Sequence, residues 1–261
     1  MPTPLHTLPR LFMTPDQAGQ SVGPETTCPM SPEQARYLGT VMRRSEGDEV
    51  RLFNARDGEW LARIASLRRD RGTFILQTRL RAPAQEAGPV LAFALLKRDA
   101  TDLVIRMGTE LGVSRFIPLI TERTVGQRVN GARLDSIATE AAEQCERLSV
   151  PAVAEPARFM DFLGAWNPEN TLFTAVERLG EREFSEQPDK KPDEKQIGTF
   201  AGARPGDGVL TGPEGGFSTA ELDAALARPF VTPITLGNRV LRAETAVAAA
   251  LALFDARIRN A

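Results

Sequence analysis

The sequence predicts an α/β protein in two parts: a small β-rich N-terminal domain, then a larger domain built on a mostly parallel sheet with helices on both faces. Three observations predict it. Between residues 49 and 80 three alternating apolar and polar segments are separated by turn signals, the pattern of a small antiparallel barrel or sheet. From Val90 onward short apolar runs of strand length alternate with stretches of helical spacing, the order of a parallel α/β layer. Between the two lies Arg81-Ala-Pro-Ala-Gln-Glu-Ala-Gly-Pro89, whose two prolines and a glycine support neither helix nor ladder. A chain of 261 residues, 42% of them hydrophobic, is long enough for two cores.

In the N-terminal part, Ser31-Pro-Glu-Gln34 has the form of a capping box with proline at the first helical position, so a short helix starts there. Ala35, Leu38 and Val41 or Met42 are its expected buried stripe, and Arg36, Arg43 and Arg44 fall outside it. Glu49 to Asn54, Glu59 to Ile64 and Thr73 to Leu80 are the expected strands, joined by Arg56-Asp-Gly58 and Arg69-Asp-Arg-Gly72.

In the second part, Val90 to Leu96 is a buried strand, Thr101 to Leu111 a helix ending at Gly112, and Arg115 to Ile120 a strand. Leu134, Ile137, Ala138, Ala141, Cys145 and Leu148 form a helical stripe that places Cys145 in the core, and Thr171 to Val176 is a further buried strand. Glu177 to Lys195 carries seven acidic and five basic residues with few apolar ones, and reads as a solvated insertion.

The last fifty residues hold two units of one grammar, a short apolar strand running through a glycine-bearing turn into a helix. The first is Val209-Leu-Thr-Gly-Pro-Glu-Gly-Gly-Phe-Ser218, the second Leu236-Gly-Asn-Arg-Val-Leu-Arg-Ala-Glu-Thr-Ala246. Such turns gather at the carboxyl edge of a parallel sheet, where ligands bind. Gly212, Gly215 and Gly216 free the backbone for positive φ and for close approach of a flat ligand. Ser218 and Glu221 match a capping box, so a helix starts at about residue 219. The helix from Ala246 to Phe254 is almost wholly apolar and is expected to be buried, either as an internal packing element or against a second copy as a dimer surface.

Gly-Pro-Glu-Gly-Gly-Phe-Ser followed by Leu-Gly-x-Arg-Val-Leu-Arg-x-Glu-Thr-Ala resembles the RsmE family of ribosomal RNA methyltransferases, members of the SPOUT superfamily. Lys97-Arg98, Glu110-Leu-Gly-Val113, Thr121-Glu-Arg123 and Glu140 to Arg147 match the same family, and Arg10-Leu-Phe12, Tyr37-Leu38, Met42-Arg43 and Gly47-Asp48 fit it loosely. The resemblance implies a PUA-like RNA-binding β-barrel over 1–82, a linker at 83–89, and a SPOUT domain with a trefoil knot over 90–261. Residues 178–205 stand as a polar insertion to which nothing transfers. It further implies a homodimer that uses S-adenosyl-L-methionine to methylate the ring N3 of a uridine in 16S ribosomal RNA, in the assembled 30S subunit. Carried over residue by residue, cofactor contact falls on Gly212, Glu214, Gly215, Gly216, Leu236, Gly237, Val240, Leu241 and Ala246, with Leu236 and Leu241 sandwiching the adenine. Arg242 and Glu244 are the catalytic candidates: a guanidinium to stabilise the uracil anion and a carboxylate to take its proton. Arg242 gripping a phosphate is the other role open to it. Arg10, Arg43 and Arg44 are the RNA-binding candidates, with a solvated surface role as the alternative.

Composition bounds the rest. Residues 1–82 hold 12 arginines against 9 acids, and the remainder 20 basic against 25 acidic residues, so the net −2 neither establishes nor excludes RNA. Cys28 and Cys145 are far apart and without metal spacing, which argues for a reducing cytoplasm and no metal site. No run is long enough to span a bilayer, and no Gly-x-x-x-x-Gly-Lys-Ser/Thr loop is present, which disfavours phosphoryl transfer. The competing reading is a nucleotide- or RNA-binding module without methyltransferase activity.

Overall fold

The structure, a computed structural model, describes residues 4–19, 22–124, 129–176 and 200–259. Most of the polar insertion expected over 178–205 lies outside the described residues. The chain divides into two compact units, Met1–Glu86 with Ala142–Val150, and Ala87–Ala141 with Pro151–Ala261.

The first unit contains β1 (Arg10–Phe12), β2 (Thr27–Pro29), β3 (Glu49–Asn54), β4 (Gly58–Leu67) and β5 (Gly72–Arg81), in the spatial order β1-β3-β4-β5-β2. β1 runs parallel to β3 and the other pairs are antiparallel. The β4–β5 register shifts three times, and such irregularities increase local twist and let a sheet coil. Leu11, Cys28, Val50, Leu52, Trp60, Ile64, Phe74 and Leu76 meet in one core, so all five strands wrap the same apolar cluster. Two short helices, α1 (Pro15–Ala18) and α2 (Pro32–Arg36), each begin at a complete capping box with proline in the first turn.

After α2 the chain makes one π-helical turn over Tyr37–Val41, closed by Met42 N–H on the Tyr37 carbonyl at 2.9 Å. The wider turn advances the phase of the helix. Ala35 and Leu38 are buried as their spacing predicts, and of the two alternatives for the next position Met42 is half-buried while Val41 is 66% exposed.

The second unit is a seven-stranded sheet in which every recorded pairing is parallel. Its strands are β6 (Val90–Ala94), β7 (Arg115–Ile120), β8 (Ala152–Val153), β9 (Ala157–Arg158), β10 (Leu172–Ala175), β11 (Gly208–Thr211) and β12 (Val231–Ile234). The order is β12-β10-β11-β6-β7-β8, with β9 also on β7. Between them run α3 (Arg98–Glu110), α4 (Gly131–Gln144), α5 (Phe159–Ala165), α6 (Thr219–Leu226) and α7 (Ala243–Arg259).

Strand residues alternate between the two faces, as the period-two geometry requires. Ala92, Leu172 and Leu210 pack with Phe162 and Leu163 of α5 and Ala225 of α6. Phe173 instead meets Phe254 of α7 at 6.1 Å between ring centroids. Helices therefore cover both faces.

Two expectations are corrected. Helix α7 is not buried all round: Ala243, Val247, Ala250, Leu251 and Phe254 form one inward stripe, while Leu253 is 48% exposed. Apolar composition signals that a helix has apolar neighbours to meet, and here the face around Leu253 stays exposed among the described residues. Cys145 is exposed, because α4 stops at Gln144 and Glu146 takes a positive φ of 63° that breaks the stripe.

Candidate functional site

Strand order brings together what chain order separates. β10 lies between β11 and β12, with Thr174 level with Leu210 on one side and Ala175 level with Ile234 on the other. All three are parallel, so the turn after β11 and the turn after β12 leave the same edge at the same height. They stand two strand spacings apart, about 9.5 Å. That gap is of the order of a fused heteroaromatic ring system in its long dimension.

The first turn is fastened from three sides. Ser218 Oγ accepts from Glu221 N–H at 3.2 Å, and Glu221 Oε2 accepts from Ser218 N–H at 3.0 Å, the reciprocal cap that starts α6. The other carboxylate oxygen of this buried glutamate accepts from Glu122 N–H at 2.8 Å, which ties the turn to the chain leaving β7. Arg123 donates to the Gly215 carbonyl at 2.6 Å. Phe217 stacks against Phe159 at 5.1 Å between centroids and anchors the end of the turn in the core.

This packing revises the reason for one glycine. A Cβ on Gly212 would stand 3.2 Å from the Phe217 ring, so the missing side chain makes room for Phe217. Gly216, at φ +68°, faces open space and retains the conformational role. Glu214 and Gly215 are exposed at the tip.

In the second turn Gly237 has φ +110° and nothing within 4 Å of its Cβ position. Leu236 and Leu241 are half-buried and Val240 is 62% exposed. An apolar side chain so exposed beside glycine backbone at a sheet edge suits the face of an adenine, and the exposed backbone suits its polar rim. The residues present therefore fit an adenosyl group. Arg242 is exposed and its guanidinium has no ion pair among the described residues; its carbonyl accepts from Ala246 N–H at 2.8 Å. Glu244 is half-buried in the first turn of α7, and Ala246 is half-buried one turn into the same helix.

The RNA-binding candidates separate. Arg43 is exposed at φ +52°, and Arg44 is half-buried with Nε unpartnered. Arg10 is only 6% exposed and is consumed inside the first unit, which removes it from the RNA-contact set. Its Nε bonds Glu59 at 3.2 Å, its two terminal nitrogens donate to the carbonyls of Ala142 at 2.8 Å and Arg147 at 2.7 Å, and its plane lies 3.4 Å from the Phe53 ring centroid. Burial pushes this guanidinium below its usual range, against the opposing pull of Glu59. Glu59, 2% exposed, also receives Arg51 and Arg81.

Sequence reasoning missed Arg123 and the second partner of Glu221, since both act across more than ninety residues of chain. It also gave no sign of a cavity of about 470 Å³, which lies beyond β6 and not between the two glycine turns. No helix among the described residues is long and apolar enough to cross a membrane.

Comparisons with known proteins give the chain a family. A family model described as an RNA methyltransferase domain matches residues 86–255, and one described as an RNA methyltransferase PUA domain matches residues 31–77. The chain is 33% identical over 222 residues to ribosomal RNA small subunit methyltransferase E of Rickettsia conorii, covering 85% of this chain and 86% of that protein. It is 34% identical over 258 residues to the protein of the same name from Synechocystis, covering 96% of this chain and 78% of that one. Among solved structures it superposes with TM-score 0.77 and 27% identity on a Legionella pneumophila protein in complex with the cofactor SAM, over 96% of this chain and 98% of that chain. A Neisseria gonorrhoeae structure at 24% identity, TM-score 0.78 and coverage of 96% and 98%, supports the fold alone.

Proposed function

The chain belongs to the ribosomal RNA small subunit methyltransferase E family, an S-adenosylmethionine-dependent RNA methyltransferase with an N-terminal PUA-like domain, and from that premise we propose that it methylates the ring N3 of one uridine in 16S ribosomal RNA. The observation that carries the reading is the pair of glycine turns at one height on either side of β10. Bound S-adenosylmethionine supplies a methyl group on a sulfonium, transferable by in-line displacement. The protein's task is then positioning, which can provide much of the barrier reduction without covalent help.

In this reading the backbone of Gly215, Gly216 and Gly237 and the side chains of Leu236, Val240 and Leu241 hold the adenosyl portion, with Glu214 and Ala246 at its margins. Phe217 and Arg123 hold the first turn in shape. The imide N3 of uracil carries its proton at neutral pH. Arg242 stabilises the anion left when that proton departs, and the Glu244 carboxylate accepts it. Arg43 and Arg44 contact RNA backbone from the PUA-like domain, assigned to 1–82, while 90–261 form the catalytic domain. The trefoil knot, the homodimer, the assembled 30S subunit as substrate and a cytoplasmic setting belong to the same proposal. The uncovered face of α7 around Leu253 is consistent with a second copy.

The test is mass mapping of modified nucleosides in small-subunit ribosomal RNA from cells lacking this protein. Loss of one 3-methyluridine, restored by the intact gene but not by an Arg242→Ala copy, is the expected result. An unchanged nucleoside profile in those cells refutes the assignment, and loss of a different methylated nucleoside refutes the N3 position while leaving the enzyme class standing.

A further inference from the structure

The cavity of about 470 Å³ opens past the carboxyl end of β6, between the first turns of α3 and α4. Its charged lining is Lys97, Arg98 and Arg133 against Asp102, a surplus of two positive charges. Arg133 is ion-paired to Asp102 and so is held in place. Asn130 Oδ1 accepts from Arg133 N–H at 3.2 Å and caps α4. Lys97 occupies the N-cap position of α3 but contributes no side-chain cap. The turn is closed instead by Thr101, whose hydroxyl donates to the Leu96 carbonyl at 3.0 Å and accepts from Leu96 N–H at 3.2 Å. Lys97 and Arg98 are exposed, with no recorded ion pair among the described residues, and are free to meet a ligand. Asp99, the acid in the first turn of α3, does not line the cavity.

Two helix N-termini and three cations converge on one hollow, and each favours an anion. The volume falls in the range of sites for whole small molecules, larger than a bare oxyanion requires. β6 is the neighbour of β11, so the strand that leads into the cavity wall lies beside the strand that leads into the first glycine turn. A polynucleotide that presents a base to the two turns must lay adjacent backbone along this edge.

We propose that this cavity seats a phosphate-bearing nucleotide of the RNA substrate, with Lys97 and Arg98 as phosphate ligands and Arg133, braced by Asp102, forming the wall. The proposal rests on the methyltransferase reading and adds a subsite to it. The same anion chemistry could serve the carboxylate of the cofactor's methionine portion, and the experiment separates the two sources. Lys97 and Arg98 follow β6, outside the β12-β10-β11 trio whose outer strands feed the two turns, which favours RNA.

The test uses the full chain and its Lys97→Gln/Arg98→Gln variant, which keeps the apolar stems of two exposed side chains. Filter binding to unmodified small-subunit ribosomal RNA is measured across salt concentrations, and S-adenosylhomocysteine binding by calorimetry. Expected are an RNA affinity lowered on the order of tenfold, a log-log salt slope flatter by about 1.4 for two lost phosphate contacts on a single strand, and a cofactor Kd within about twofold of the parent. A Lys97→Arg/Arg98→Lys variant restores the slope. A slope equal to that of the parent overturns the proposal, and so does weakened S-adenosylhomocysteine binding with RNA affinity intact, which assigns the anion to the cofactor. Because RNA binding is read without catalysis, failure of the parent chain to bind S-adenosylhomocysteine or transfer methyl defeats the enzyme reading separately.

Discussion

Gly237→Ala isolates what the second turn contributes. The residue sits at φ +110°, and nothing lies within 4 Å of its Cβ position. An added methyl therefore meets no atom, and the whole cost is backbone conformation, about 1–3 kcal/mol for a non-glycine residue in a sparsely populated region. Gly237 is exposed and lies past the end of β12, so the free protein relieves the strain by rotating the turn, and its melting temperature hardly moves. Binding an adenosyl ligand restores the original turn and charges the strain against affinity. At about 1.4 kcal/mol per decade, the Kd for S-adenosylhomocysteine should rise about 5- to 150-fold in isothermal titration. Gly216→Ala is the milder control, because φ +68° is closer to the left-handed region that other residues visit, at about 1–2 kcal/mol. A Kd within about twofold of the parent for Gly237→Ala, with the fold intact, would refute the idea that this turn offers its backbone to the ligand.

Arg242→Ala should leave S-adenosylhomocysteine affinity unchanged while kcat falls on the order of a hundredfold, the signature of an interaction made in the transition state; a loss confined to cofactor affinity contradicts that role. Glu59→Ala strands three guanidinium groups that now share one buried carboxylate, and urea unfolding should register a loss of about 3–5 kcal/mol, whereas a loss below about 1 kcal/mol means the arginines find other partners. Arg51 holds the Glu146 carboxyl below its ordinary range by a hydrogen bond, against a smaller opposing effect of burial. A carboxylate with a depressed folded value stabilises the native state above the ordinary value, and that contribution disappears as pH falls through the depressed one. Since Glu146 is half exposed, solvent screening limits the effect to about 0.2–1 kcal/mol. Glu146→Gln should therefore be less stable than the parent at neutral pH and equal to it in acid, and a gap that persists in acid points to packing.

Local signals were legible and distant partners were not. Strands 49–54 and 115–120 stand where alternation and an apolar run place them, and the capping boxes at Ser31 and Ser218 close as their spacing predicts. These features depend on residues within one turn or one strand. Gly212 shows where such reasoning stops: glycine announces a close approach, but only the fold reveals that Phe217 makes it. Glu221 likewise reads as a cap from Ser218, yet its second oxygen holds Glu122 across the sheet edge. The exposure of Val41 goes with the π turn, which no periodicity anticipates, and the exposure of Leu253 among the described residues depends on which neighbours α7 meets, which composition does not record.

Arg10 carries the same lesson into the electrostatics. The first 82 residues hold a surplus of three positive charges, which invites an RNA-facing surface. Arg10, Arg51 and Arg81 converge on Glu59, and with those four set aside nine arginines face eight acids. Counterion release counts only cations that reach phosphate, so arginines held on a buried carboxylate add nothing to the salt slope. Affinity for RNA must then come from where the free cations stand. Exposed Arg43 on the first unit and the Lys97–Arg98 pair at the cavity of the second are the places proposed for it, and the pair follows β6, the strand beside β11. A net charge of −2 is therefore no bar to the RNA contact proposed at that pair, because the salt slope depends on the cations that meet phosphate and not on the sum over the chain.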